Sequence, residues 1–297
     1  MADVVYMQTI KGDWDKEIGK WLDYLAAAGR ASSTMRSRRE HVSWLARDFC
    51  AIKRPYEVTL DDLMEWAAGF TWVMETRRGV RTSIRQFYQW ALDTERVDES
   101  PADKWPKVPS IIPQPRPASE RDYSQALDRA RKHRDRVMVR LACEAGLRRA
   151  EVASVHANDL FEDLDGWMLW VHGKGGTLQS VPLTDSVAQD LIRQIKDANE
   201  GQLTGWAFPG HWGDSGHMSP QWVGKVVARL LPGDATMHQL RHKFGTDVHA
   251  ETGDLLTTQQ LLRHATVATT QRYVRVPAER ARAAVTNVYE DRLRRPA

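Results

Sequence analysis

Six polar side chains in the second half of this 297-residue chain carry an inventory suited to phosphate chemistry. Arg148 lies in AGLRRAE, Lys174 in HGKGG, His238 and Arg241 in HQLRH, His264 in LLRHATVATT and Tyr273 in TQRYV. Two guanidiniums, two imidazoles, an ammonium and a phenol can attack a phosphodiester without a metal. His238 and Arg241 stand three apart on a predicted helix and project from one face, where they can orient and neutralise non-bridging oxygens. A lysine on a glycine-flanked turn can protonate a leaving oxygen when its pKa is lowered. Taken singly, each element also fits a solvated surface pair or a turn lysine.

These side chains need particular elements to hold them. Gly146 ends the apolar helix VMVRLACEA in a left-handed cap, which places Arg148 at a tight junction before the next helix. Glu151 falls in the first turn of that helix, where a carboxylate suits the free N–H groups and the dipole; it reads as structural support that braces an arginine. WMLWV at 167–171, the turn HGKGG and the alternating 177–183 predict a hairpin with Lys174 near its tip. His264 and Tyr273 are nine apart, two and a half helical turns, and one unbroken helix would put them on opposite faces. A break in HATVATT is therefore required for them to share a site. Further helices are predicted over 120–132, 136–145, 150–155, 185–197, 219–230, 237–250, 257–264 and about 268–275.

Six prolines within 101–117 predict a stiff, extended linker (101–118) between a helical module over 1–100 and a second domain over 119–297. In the first module Trp14, Ile18, Trp21, Leu22 and Leu25 recur at helical spacing up to Gly29. A second helix opens near Ser32 or Ser33, a third near Thr59–Asp62, and a fourth spans about 76–92. Two carry basic clusters, Arg36, Arg38 and Arg39, then Arg77, Arg78, Arg81 and Arg85, which are candidates for a DNA backbone or an ordinary solvated surface. The fold class expected is mainly α with a small antiparallel β-sheet.

Net charge is only +3, so the chain is no polycation, yet 31 of its 42 basic residues are Arg, the side chain with bidentate donors for phosphate. Two separated cysteines, Cys50 and Cys143, give neither a metal spacing nor a disulfide framework. The start of the chain does not read as a secretory signal, and no apolar run reaches the roughly 18 residues of a membrane span, so a cytoplasmic protein is expected.

Order, context and spacing of the six residues resemble the tyrosine recombinase (phage integrase) family. The match runs through Gly146 to Glu151, Lys174, the box His238 to His242, and a final box of Leu261, Leu262, His264, Thr269, Thr270 and Tyr273. The helical module before a proline-rich segment is similar to the family's core-binding (SAM-like) domain, and the remainder to its mixed α/β catalytic domain. One departure is Arg263, which stands where the family usually has Gly and adds a candidate phosphate contact.

The resemblance implies a site-specific recombinase in which Tyr273 forms a 3′-phosphotyrosyl bond and releases a 5′-hydroxyl. Arg148 and Arg241 clamp the phosphate, His264 adds a hydrogen bond, His238 accepts the tyrosine proton and Lys174 protonates the leaving oxygen. It implies no metal, ATP or other cofactor. The expected partners are double-stranded DNA with a specific core site, three further copies in a tetramer on two duplexes, and an accessory directionality factor. Ala281, Ala284, Val285, Val288 and Leu293 form an apolar stripe, and a terminal helix over about 278–293 is expected to dock on a neighbouring protomer. There is little room before Trp14 for an arm-binding domain, which favours a two-domain integrase of a phage or mobile element. An Xer-like chromosome-dimer resolvase, a type IB topoisomerase-like enzyme and a catalytically silent DNA-binding protein remain alternatives.

Overall fold

The computed structural model describes residues 12–49, 51–109, 116–173, 176–210 and 215–263. The chain divides into two compact units, Met1–Pro113 and Gln114–Ala297.

In the first unit, α1 (Asp13–Ala27), α2 (Ser32–Phe49), α3 (Leu60–Ala68) and α4 (Met74–Asp93) enclose an aromatic-rich core. Trp14, Ile18 and Trp21 of α1 are almost wholly buried, and Trp14 stacks on Phe87 of α4 while Trp21 meets the same ring edge-on. Burying such side chains contributes about 1.5–3 kcal/mol each, which is why helices with so many charged residues fold together. Gly29, at φ +66, ends the first helical run. The Thr59 hydroxyl accepts from the Asp62 N–H while the Asp62 carboxylate accepts from the Thr59 N–H, a reciprocal cap that starts α3.

The proline-rich stretch is not an extended linker from its first residue. Ala102 and Trp105 are buried in this core, and the Trp105 carbonyl accepts two bonds from the Arg81 guanidinium. Apolar side chains between the first prolines thus gain more from burial than from solvation in an open strand. At the other end, Ala118 is buried in the second unit and its N–H donates to the Gln239 carbonyl at 3.0 Å.

The second unit is built on α6 (His133–Glu144), whose Val137, Met138, Val139, Leu141, Ala142 and Cys143 are all buried. Around it pack α5 (Glu120–Arg129), α7 (Arg149–Ala153), α8 (Asp185–Ala198), α9 (Pro220–Leu230) and α10 (Met237–Thr252), and α11 (Leu255–Leu261) follows α10. Ser119, Thr184, Ser219 and Asp254 accept backbone N–H bonds at the starts of α5, α8, α9 and α11. The helix expected to reach 132 stops at Arg129, and the next begins at His133 rather than 136. The predicted hairpin is part of a three-stranded antiparallel sheet: β1 (Leu160–Asp163), β2 (Gly166–His172) and β3 (Leu178–Pro182), in that order. In register, Leu160 faces Leu169, which faces Val181. The helices expected over about 268–275 and 278–293 lie outside the described residues, as does Cys50.

Candidate active site

Three segments converge on one carboxylate. Gly146, at φ +61, turns the chain after α6, and the Leu147 N–H returns to the Leu141 carbonyl at 3.1 Å. A Cβ at this position would stand 2.4 Å from Cδ1 of Phe244, so glycine is required by both backbone and space. Arg148 then caps α7, and Glu151 in the first turn folds back so that Oε2 accepts from the Arg148 N–H at 2.8 Å and Oε1 from Arg148 Nη1 at 2.5 Å. Arg241, on α10, donates to the carbonyls of Gly146 and Leu262, with Nη1 3.6 Å from Glu151 Oε2. Its side chain is 1% exposed, against 40% for Arg148.

Arg263 is engaged with acceptors inside its own unit. Its side chain is 2% exposed: Nη2 lies 2.8 Å from Glu151 Oε2 and 2.9 Å from the Gly146 carbonyl, and Nη1 donates to the Leu261 carbonyl. The backbone there is left-handed, φ +51, the region glycine enters most readily. The expected phosphate contact is therefore replaced by an internal ion pair. Burial pushes the Glu151 carboxyl upward, but Arg263 foremost, then the Arg148 N–H and Arg241, hold it below the usual carboxylate value.

His238 and His242 sit one turn apart on α10 with their Nε2 atoms 3.0 Å apart. Burial, then the charges of Arg241 and Arg148, lowers the His238 pKa. Burial and the neighbouring His238 and Arg241 push His242 down to about 4. Both shifts favour the neutral imidazole, and across the Nε2 pair one ring donates to the other. Arg148, His238 and Arg241 line one cleft of about 730 Å³. The same cleft is lined by Arg149, Gln221 and Lys225, which sequence reasoning did not single out. The pattern of α9 held a signal for two of these: Val223, Val226 and Val227 are its buried face, which leaves Gln221 and Lys225 on another.

Lys174, His264 and Tyr273 lie outside the described residues. The strands flanking Lys174 are in place, and His172 at the end of β2 is tied to Asp159 at 2.9 Å.

In the first unit the two basic clusters divide. Arg36 and Arg39 are exposed on α2. Arg38 is half-buried and lines a cleft of about 430 Å³ between α2 and α4 with Ser33, Ser37, His41 and Arg78. Arg78 pairs with Glu75 at 2.9 Å and Arg85 with Asp103 at 3.0 Å. Arg77 instead donates to the carbonyls of Ala67 and Phe70 at the end of α3, and Arg81 to that of Trp105. These two guanidiniums bind carbonyls of their own unit rather than lying open to a backbone phosphate.

The family model for the Phage integrase family matches residues 119–280, more than half of the sequence. The chain belongs to the phage integrase family. Among curated relatives, the tyrosine recombinase XerC of Xanthomonas campestris pv. campestris (strain B100) is 32% identical over 201 residues, covering 65% of this chain and 61% of that protein. The chain thus spans about three fifths of that relative's length. XerC of Rhodospirillum centenum is 30% identical over 299 residues, covering 92% of this chain and 84% of that protein. The fold is shared with a lambda integrase (75–356) dimer bound to a COC′ core site, at TM-score 0.69, 15% identity and coverage of 87% and 94%. It is shared too with the Tn1549 transposon integrase in complex with circular intermediate DNA, at TM-score 0.65, 19% identity and coverage of 91% and 98%.

Proposed function

We propose that this family member is a site-specific recombinase that cuts and rejoins double-stranded DNA through a 3′-phosphotyrosyl link to Tyr273. The observation that carries this reading is the convergence of Arg148, His238 and Arg241, from segments about ninety residues apart, on one cleft braced by a buried carboxylate. Two guanidiniums face the two non-bridging oxygens, so charge building on a pentavalent phosphorus meets fixed donors. The phenol oxygen of Tyr273 forms the new bond to phosphorus as the 5′-oxygen leaves. His238 takes the phenol proton, and Lys174 supplies one to the leaving oxygen. His264 completes the donors around the phosphate. Because the phosphotyrosyl ester conserves the bond energy, the reaction calls for neither ATP nor another cofactor.

Exposed Arg36 and Arg39, with Arg38 in its cleft, are the backbone contacts of the first unit. The apolar stripe from Ala281 to Leu293 supports a tetramer on two duplexes, and an accessory protein setting direction belongs to the same reading. A substrate with two recombination sites tests it. Recombinant product from two duplexes is expected. Adducts with relaxation of supercoils but no exchange indicate a topoisomerase-like enzyme, and binding without any adduct a catalytically silent DNA-binding protein.

A further inference from the structure

The Glu151 cluster holds more positive charge than a structural brace needs. Arg148, Arg241 and Arg263 surround a single carboxylate, leaving a surplus of two positive charges. Arg148 and Arg241 are among the residues that line the cleft, whereas Arg263 is not. Of the three, Arg263 makes the contact that does not depend on the cleft: Nη2 lies on Glu151 Oε2 at 2.8 Å and on the Gly146 carbonyl at 2.9 Å.

We propose that Arg263 is a positioning residue, the permanent counter-ion of Glu151 Oε2, which leaves the scissile phosphate as the charged partner of Arg241. This rests on the recombinase reading above. A carboxylate 4% exposed must keep a cation beside it. Arg148 Nη1 already holds Oε1 at 2.5 Å while Arg263 holds Oε2 at 2.8 Å; without Arg263 the charged group nearest Oε2 is Arg241 Nη1 at 3.6 Å, so the buried anion competes with the phosphate for that guanidinium. With Arg263 in place, the two-charge surplus matches the doubly anionic phosphorane. The left-handed backbone at this position accommodates glycine better than arginine, so nothing in the turn itself calls for the side chain. What the side chain adds is charge and three hydrogen bonds, one within the end of α11, one to Gly146 in the turn after α6 and one to Glu151 on α7.

The test is single-turnover cleavage of a nicked suicide substrate at saturating protein, beside DNA affinity by mobility shift and thermal melting, for the full chain and its R263G, R263K and E151Q/R263G variants. R263G is expected to bind DNA as the wild type does and to cleave between ~10- and ~100-fold more slowly, because the clamp acts mainly in the transition state. R263K is expected to recover much of the rate. In E151Q/R263G, the loss of the competing anion is expected to raise the rate several-fold above that of R263G. If R263G melts below the assay temperature, R263Q, which fills the space without the charge, takes its place in both comparisons. Cleavage by the neutral variant at the wild-type rate overturns the proposal. So does a double variant no faster than the single one, which marks Arg263 as a packing element alone. Absence of any adduct from the wild type removes the recombinase reading and this inference with it, and is distinguished from the other failures by that control.

Discussion

Glu151 shows at the scale of single residues how a carboxylate unsuited to catalysis can still govern a site. It is buried among Arg148, Arg241 and Arg263, and removing it leaves guanidiniums of 1% and 2% exposure without their anion. Glu151→Ala is expected to cost about 3–5 kcal/mol in urea unfolding, and Glu151→Gln distinctly less. The histidines give a pH signature. His242 titrates near 4 in the folded chain against an ordinary 6.5, with His238 and Arg241 facing it. The unfolded chain therefore binds the proton more readily, so this contribution is fully present above about pH 6.5 and is lost as pH falls towards 4. His242→Gln should flatten that part of the stability profile, and an unchanged slope would contradict the assignment. Arg148, Glu151, His238 and Arg241 were legible in the sequence because each sits at a fixed offset from a glycine or a helix face. The inward turn of Arg263 was not: a left-handed arginine is unexpected from local preference, and its partner lies more than a hundred positions away.

Among the elements, the turn after α6 does the most to assemble the site, and two glycines separate its demands from ordinary propensity. Gly146→Ala places a methyl 2.4 Å from the Phe244 ring at φ +61 and is expected to lower stability by about 2 kcal/mol or more, with loss of cleavage. Gly224, inside α9, would bring its Cβ no nearer than 3.6 Å to Arg149, so Gly224→Ala should raise stability by about 0.5–1 kcal/mol. Thermal melts of both variants check the pair, and a Gly146→Ala protein as stable as the wild type would contradict the geometry. Helices were readable where apolar spacing and caps coincide, as at Trp14 to Leu25 and Thr59 to Asp62. β1 was missed because LFED is four residues long with an acidic end, and it becomes a strand only through its register with β2. Lys132 and His133 were assigned to the wrong side of a helix boundary for a related reason. Both suit a helix, and neither glycine nor proline marks the break between α5 and α6.

For the whole molecule, the modest net charge of +3 makes the placement of arginines matter more than their number. Binding to DNA should weaken steeply with salt, and Arg36→Ala and Arg39→Ala should each reduce the slope of log K against log salt by about 1. Arg81→Ala should instead lower the stability of the first unit, since its guanidinium holds the Trp105 carbonyl. Equal effects of all three on the slope would contradict the division made here. Division into two units was legible from the prolines, but the inclusion of Ala102 and Trp105 in the first core was not, because proline content reports backbone stiffness and not burial. The central claim is that this integrase-family chain breaks DNA with Tyr273, and denaturing electrophoresis after incubation with a nicked suicide substrate tests it most directly. The account predicts an adduct that survives SDS in the wild type and none in Tyr273→Phe; an adduct in Tyr273→Phe, or none in the wild type on its own site, would contradict it.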